Sequence, residues 1–214
     1  WNYTADGQSI LGPFASNGQL LAPSGQPFVI DIARLTLGGA TASGKLRSAT
    51  GGFAGTLAIS GGGLNGQVVL RPVDEVQRIE IQLSARRARF PGPPTIFVGR
   101  GNVDAVVMLY PSGPSVTATM DARRIRYGKM LLSSASGEAT IANGSGTVEA
   151  KLAGTANIPF AFDAHASFTP ENITLTGSGS LENEPIRLTS PAVVSRGEDG
   201  WVLQEGRVGF AGGS

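Results

Sequence analysis

The chain of 214 residues carries 31 Gly, no Cys, one His and a formal net charge of +1, which excludes a disulfide scaffold, a thiolate metal site and a histidine metal cluster. With 41% hydrophobic and 15% charged residues it is not a disordered chain, and no run approaches the roughly 18 apolar residues that cross a bilayer as a helix. Aromatic residues make up only 7%, few for a packed sandwich, so a dry surface here must be built mainly from Val, Ile, Leu and Ala.

In chain order, residues 1–25 hold Gly and Pro with little periodicity beyond Gln19 to Ala22, which predicts one short edge strand between loops. Residues 28–32 and 34–37 predict a strand or a bent pair, and 44–48, 53–60 and 67–71 follow as short strands. Gly38-Gly39, Gly51-Gly52 and Gly61 to Gly63 separate them, and Asn65-Gly66 reads as a hairpin turn. In residues 76–85, Ile79, Ile81, Leu83 and Ala85 alternate with Arg78, Glu80, Gln82 and Ser84, the period of a strand with one wet and one dry face. Residues 85–90 are the nearest approach to a helix, but they are basic and run into the cluster from Pro91 to Pro94.

Strands at 96–98 and 103–110 come next, then 115–122, 125–127, 129–132, 138–142 and 147–152, each bounded by Gly or Pro chemistry. Residues 159–168 place Phe160, Phe162, Ala164, Ala166 and Phe168 on one face against Asp163, His165 and Ser167. Residues 172–176, 186–189, 201–204 and 207–210 complete the series. About one strand per ten residues with Gly between them predicts an antiparallel meander, since a parallel sheet needs longer crossovers.

Motifs for chemistry are sparse. Gly39-Ala-Thr-Ala-Ser-Gly44-Lys45 has the outline of a phosphate-binding loop, but Leu46 stands where Ser or Thr should hold the metal, and no helix follows. His165 lies on the polar side of its strand, as a solvated histidine does. Asp74-Glu75 and Glu198-Asp199 read as turn formers. Between residues 71 and 129 ten Arg and Lys face five Asp and Glu, a strip that suits a solvated strand face or a contact for anionic headgroups. Nucleic acid is disfavoured as a partner because the interleaved aromatic platform is missing. No enzyme and no cofactor are expected.

The series Gly61-Gly-Gly-Leu-Asn-Gly66, Arg71-Pro72, Gln77-Arg-Ile-Glu-Ile81, Ser84-Ala85, Arg89-Phe-Pro-Gly-Pro-Pro94, Gly99-Arg-Gly101, Leu109-Tyr-Pro111, Tyr127-Gly128, Leu188-Thr-Ser-Pro-Ala192 and Asp199-Gly-Trp201 resembles the TamB and AsmA-like envelope proteins of Gram-negative bacteria, in particular an internal portion of the sphingomonad type. The resemblance covers most of the chain and rests on turn and strand-end residues. It implies a periplasmic β-structure with an inner-membrane anchor outside this segment, shaped as a curved, taco-like sheet with an apolar interior. It also implies phospholipid movement between membranes and support of outer-membrane assembly, with an outer-membrane assembly barrel protein as a partner.

The expectation is therefore an all-β chain, a single β-rich segment over residues 1–214, forming an elongated, curved antiparallel sheet with an open apolar groove and essentially no helix. Phospholipid acyl chains would lie against Ile79, Ile81, Leu83, Val107, Leu109, Phe160, Phe162 and Phe168. The alternative is a structural or adhesive β-sandwich or solenoid module in which the same residues close a core. Periodicity reports which side is dry and not what dries it.

Overall fold

Two-residue turns set the topology. Gly38-Gly39, Gly62-Gly63, Asp74-Glu75, Asn143-Gly144 and Glu182-Asn183 all have both residues at positive φ, the backbone of the tight hairpin whose twist matches its flanking strands. In the computed structural model, which describes residues 1–9, 12–91, 94–197 and 200–210, such turns join five of the successive pairs among fifteen strands, and other connections join the rest. They are β1 (Asn2–Ser9), β2 (Gly12–Leu21), β3 (Val29–Leu37), β4 (Ala40–Ala49), β5 (Gly52–Gly61), β6 (Leu64–Val73), β7 (Val76–Phe90) and β8 (Ile96–Tyr110). The series continues with β9 (Gly113–Tyr127), β10 (Met130–Ala142), β11 (Ser145–Ala156), β12 (Ile158–Phe168), β13 (Asn172–Leu181), β14 (Glu184–Gly197) and β15 (Gly200–Phe210). Every strand pairs antiparallel with its neighbours in sequence, giving one open sheet in the order β1 to β15.

The sheet has no second layer. Beyond paired neighbours, Cα atoms of different described strands come within 8 Å only between β4 and β6 and between β5 and β7. Strands two apart in a flat sheet are about 9.5 Å apart, so the sheet is sharply curved there. Its accessible surface is 13572 Å², whereas a compact protein of 21.9 kDa exposes about 9,300 Å². The closed-core alternative therefore finds no partner layer within the described residues.

Several sequence expectations need correction. Residues 1–25 form two full strands, β1 and β2, rather than one short edge strand. Asn65-Gly66 lies inside β6, and the turn is Gly62-Gly63, flanked by the pair Gly61 and Leu64. Segments read as separate strands are continuous in β8, β9, β10 and β15, and β7 runs on through the basic residues to Phe90. Asp74-Glu75 is a turn as expected, whereas Glu198-Asp199 and the centre of the Pro91 to Pro94 cluster lie outside the described residues.

The apparent breaks in β8, β9 and β10 come from a line of irregular pairing that runs across the four strands β7 to β10. Arg87, Gly99, Arg124 and Ser133 face one another without forming regular pairs, between Arg86–Arg100–Arg123–Ser134 on one side and Ala88–Val98–Ile125–Leu132 on the other. The unbulged strand β11 pairs Leu152 with Ala135 and Gly154 with Leu132, so Ala135 and Leu132, three residues apart, share a face. One extra residue per strand shifts the period by one, and a period-2 reading sees that shift as an end.

Candidate functional site: an uncovered apolar face

Register carries the apolar alternation of each strand into rows that run across the sheet. One row reads Leu20, Ile30, Leu46, Gly55, Leu70, Ile79, Val107, Val116, Ile141, Gly146, Phe168, Ile173, Val194 and Leu203, from β2 to β15 without one polar side chain. The adjacent row runs Ile32, Gly44, Leu57, Val68, Ile81, Ala105, Ala118, Ala139, Val148, Ala166, Leu175 and Ala192. Such runs are the signature of a sheet face that avoids water.

The eight residues singled out from the sequence all fall on this face. Ile79 pairs with Val107, Ile81 with Ala105 and Leu83 with Val103, while Leu109 ends its strand opposite Pro114. The three phenylalanines each stand beside glycine on a neighbouring strand: Phe160 against Gly154, Phe162 against Gly179 and Phe168 against Gly146. Phe162 also lies over Gly177, where an added Cβ would meet its Cε1 at 2.7 Å. Ring on bare backbone keeps the surface smooth, because the ring fills the space that the missing side chain leaves. This aromatic-on-glycine pairing was not foreseen, since it depends on cross-strand register.

What burial the chain achieves lies on the same face. Ala42, Leu46, Ala85, Ala88, Ala122, Leu132 and Ala135 are its buried apolar residues, and no polar or charged residue among those described is buried. Small side chains are sheltered by larger neighbours, which themselves stay partly open. Leu109 is 48% exposed, and Leu203 and Phe210 on the last strand are 64% and 52% exposed. Covering such side chains contributes about 1 to 2 kcal/mol each, so the face favours any apolar cover.

The opposite face is polar, and a few of its charges are matched across neighbouring strands. Lys45 Nζ reaches Asp31 at 2.9 Å, in the strand that the phosphate-loop outline occupies. Arg71 and Arg78 both reach Glu80 Oε1, at 2.9 and 2.7 Å. The Arg78 hydrogen bond, helped by the charges of both arginines against a desolvation that raises it, holds the Glu80 carboxyl below its ordinary value. His165 pairs through Nδ1 with Glu149 on the adjacent strand and is partly exposed, as a solvated surface histidine is. Among the described residues no three His, Cys, Asp or Glu are grouped to hold a metal.

No protein-family model matches this chain, and no curated protein or solved structure matches it either. In this arrangement the apolar face offers area and the polar face offers dispersed ion pairs.

Proposed function

We propose that this chain is a periplasmic lipid-shielding or lipid-conducting segment of TamB or AsmA-like type, working by contact and without catalysis. The observation that supports it most is the apolar row that crosses fourteen strands uncovered. At about 4.8 Å per strand, fifteen strands make a path of roughly 70 Å, and strands of ten to fifteen residues give it a width of roughly 33 to 50 Å. A bilayer's hydrocarbon core is about 30 Å thick, so acyl chains fit within that width. Ile79, Ile81, Leu83, Val107, Leu109, Phe160, Phe162 and Phe168 would touch the acyl chains. An outer-membrane assembly barrel is the partner that the resemblance implies for the far end of the path.

Native mass spectrometry of the chain purified from an envelope fraction tests this reading. Co-purifying phospholipid is expected, and Phe162→Asp should lose it while circular dichroism stays unchanged. Absence of phospholipid, or equal occupancy in the variant, rejects the lipid reading.

A further inference from the structure

We propose a second binding site, on the polar face and independent of the lipid reading, that takes a multiply charged phosphoryl anion. It lies where the line of irregular pairing crosses β7, β8 and β9. Arg86 pairs with Arg100 and Arg100 with Arg123, three like charges directly opposite one another across adjacent strands. Cross-strand like charges destabilise a sheet, so folding alone gives no reason for the row.

Arg87 and Arg124 add two more cations, each at positive φ, 52° and 56°. A long side chain in that conformation carries backbone strain that glycine would avoid, and Gly99 holds the corresponding place in the strand between them. The β7 irregularity is fastened by the β5–β6 turn, with Arg86 N–H donating to Gly63 O at 2.8 Å and Arg89 N–H to Gly62 O at 3.3 Å. Backbone bonds thus hold the arginines in place.

Arg86, Arg87, Arg100 and Arg124 line an open pocket of about 540 Å³ together with Phe97 and Gly99. None of these arginines, nor Arg123, forms an ion pair among the described residues, so no carboxylate of the sheet neutralises the group. Guanidinium groups offer paired N–H donors that match phosphoryl oxygens. Several around one concavity, with no carboxylate to neutralise them, select an anion of more than one charge. The site opens on the face opposite the apolar rows, so its ligand is not the headgroup of a lipid lying on those rows.

Phosphoryl groups come free in solution or on lipid headgroups, and two probes separate these sources. Pyrophosphate is titrated calorimetrically into the 214-residue chain at fixed ionic strength, and the chain is sedimented with vesicles of phosphatidylcholine with or without phosphatidic acid. The variants are Arg87→Gly and Arg124→Gly, which remove a cation and relieve the backbone, and Arg47→Ser, which removes an exposed arginine elsewhere on the polar face. Binding of pyrophosphate assigns a free anion; co-sedimentation only with phosphatidic acid assigns a headgroup. In either case the two glycine variants should weaken binding about tenfold or more while keeping or gaining thermal stability, and Arg47→Ser should leave binding unchanged. Absence of binding in both arms overturns the site, and so does equal weakening by Arg47→Ser or undiminished binding in the glycine variants.

Discussion

Strands β4 to β6 and strands β7 to β9 lie side by side in one sheet, yet they depart from a regular flat ladder by different means. In β4, β5 and β6 the device is glycine: Gly44, Gly55 and Gly66 stand at φ 152°, 156° and 154° on the apolar face. A Cβ there would meet a carbonyl oxygen of the next strand at 2.1, 2.0 and 2.0 Å, those of Thr56, Lys45 and Gln82. In β7, β8 and β9, each of fifteen residues, the device is an extra residue, Arg87, Gly99 or Arg124. Glycine removes side chains from the apolar face and leaves the polar face as it was. The extra residue instead shifts the apolar period by one and, in β7 and β9, sets a second arginine beside the one before it. Only the second device can carry a ligand site, and it is the one built from residues that are costly in that conformation.

The largest effect separating the two devices is expected from Gly55→Ala and Gly99→Ala, compared by urea unfolding followed by circular dichroism. Gly55→Ala drives a Cβ into backbone in a conformation that L residues avoid and should cost about 2 to 4 kcal/mol. At Gly99 the nearest atom is the Arg124 Cβ at 2.9 Å, a side chain on a bulge that can give, so the cost should stay near 1 kcal/mol. Equal costs would erase the distinction.

A charge on the apolar face comes next. Leu83→Glu and Phe162→Asp should leave the fold within about 1 kcal/mol of the native chain, because an open face lets water reach the carboxylate. Lipid occupancy should fall by several kcal/mol, since acyl chain cannot hydrate that charge. Gln82→Glu and Asp163→Asn on the polar face should change neither quantity. Unfolding of both apolar-face variants would mean that something covers that face.

Relief of backbone strain is a smaller effect, and of opposite sign. Arg87→Gly and Arg124→Gly should each raise stability by about 0.5 to 1 kcal/mol in the absence of anion, read as a higher thermal midpoint. A fall would mean that the arginines serve the sheet itself.

The smallest effect belongs to Glu80 on β7, whose carboxyl is held below its ordinary value by Arg78 and Arg71. A depressed folded value contributes stability above the unfolded carboxylate range, lost as pH falls through the lowered value. Glu80→Gln should therefore be less stable than the native chain at neutral pH, and the gap should close in acid below the ordinary carboxylate range. A gap independent of pH between 7 and roughly 3 would contradict this, as the unfolded carboxyl titrates near pH 4.

The alternation at Ile79, Ile81 and Leu83, and again at Phe160, Phe162 and Phe168, was legible because each lies in a regular stretch where period and side agree. The same rule failed at Arg87, Gly99, Arg124 and Ser133, where one additional residue reverses parity and a continuous strand looks like two. It failed differently in β1 and β2, where residues 1–25 read as one short edge strand between loops, though Gly7 pairs with Phe14 and Gly18 with Tyr3 inside the ladder. The basic strip was visible as a count, but its concentration into one pocket follows from register between strands. No property of a single strand encodes that.

Strict neighbour pairing has a consequence for how the chain gains and loses its order. Since each described strand is bonded only to those before and after it, no contact between described strands reaches beyond the next strand but one, and the free energy is close to a sum of hairpin terms and interface terms. Order can start at any tight turn and spread outward hairpin by hairpin, paying little loop-closure entropy at each step. Unfolding should then fray inward from β1 and β15, with amide exchange slowest in the long ladders of β7 to β10. Removing one whole hairpin would shorten the ribbon by two strands while leaving every remaining side chain on the face it already occupies.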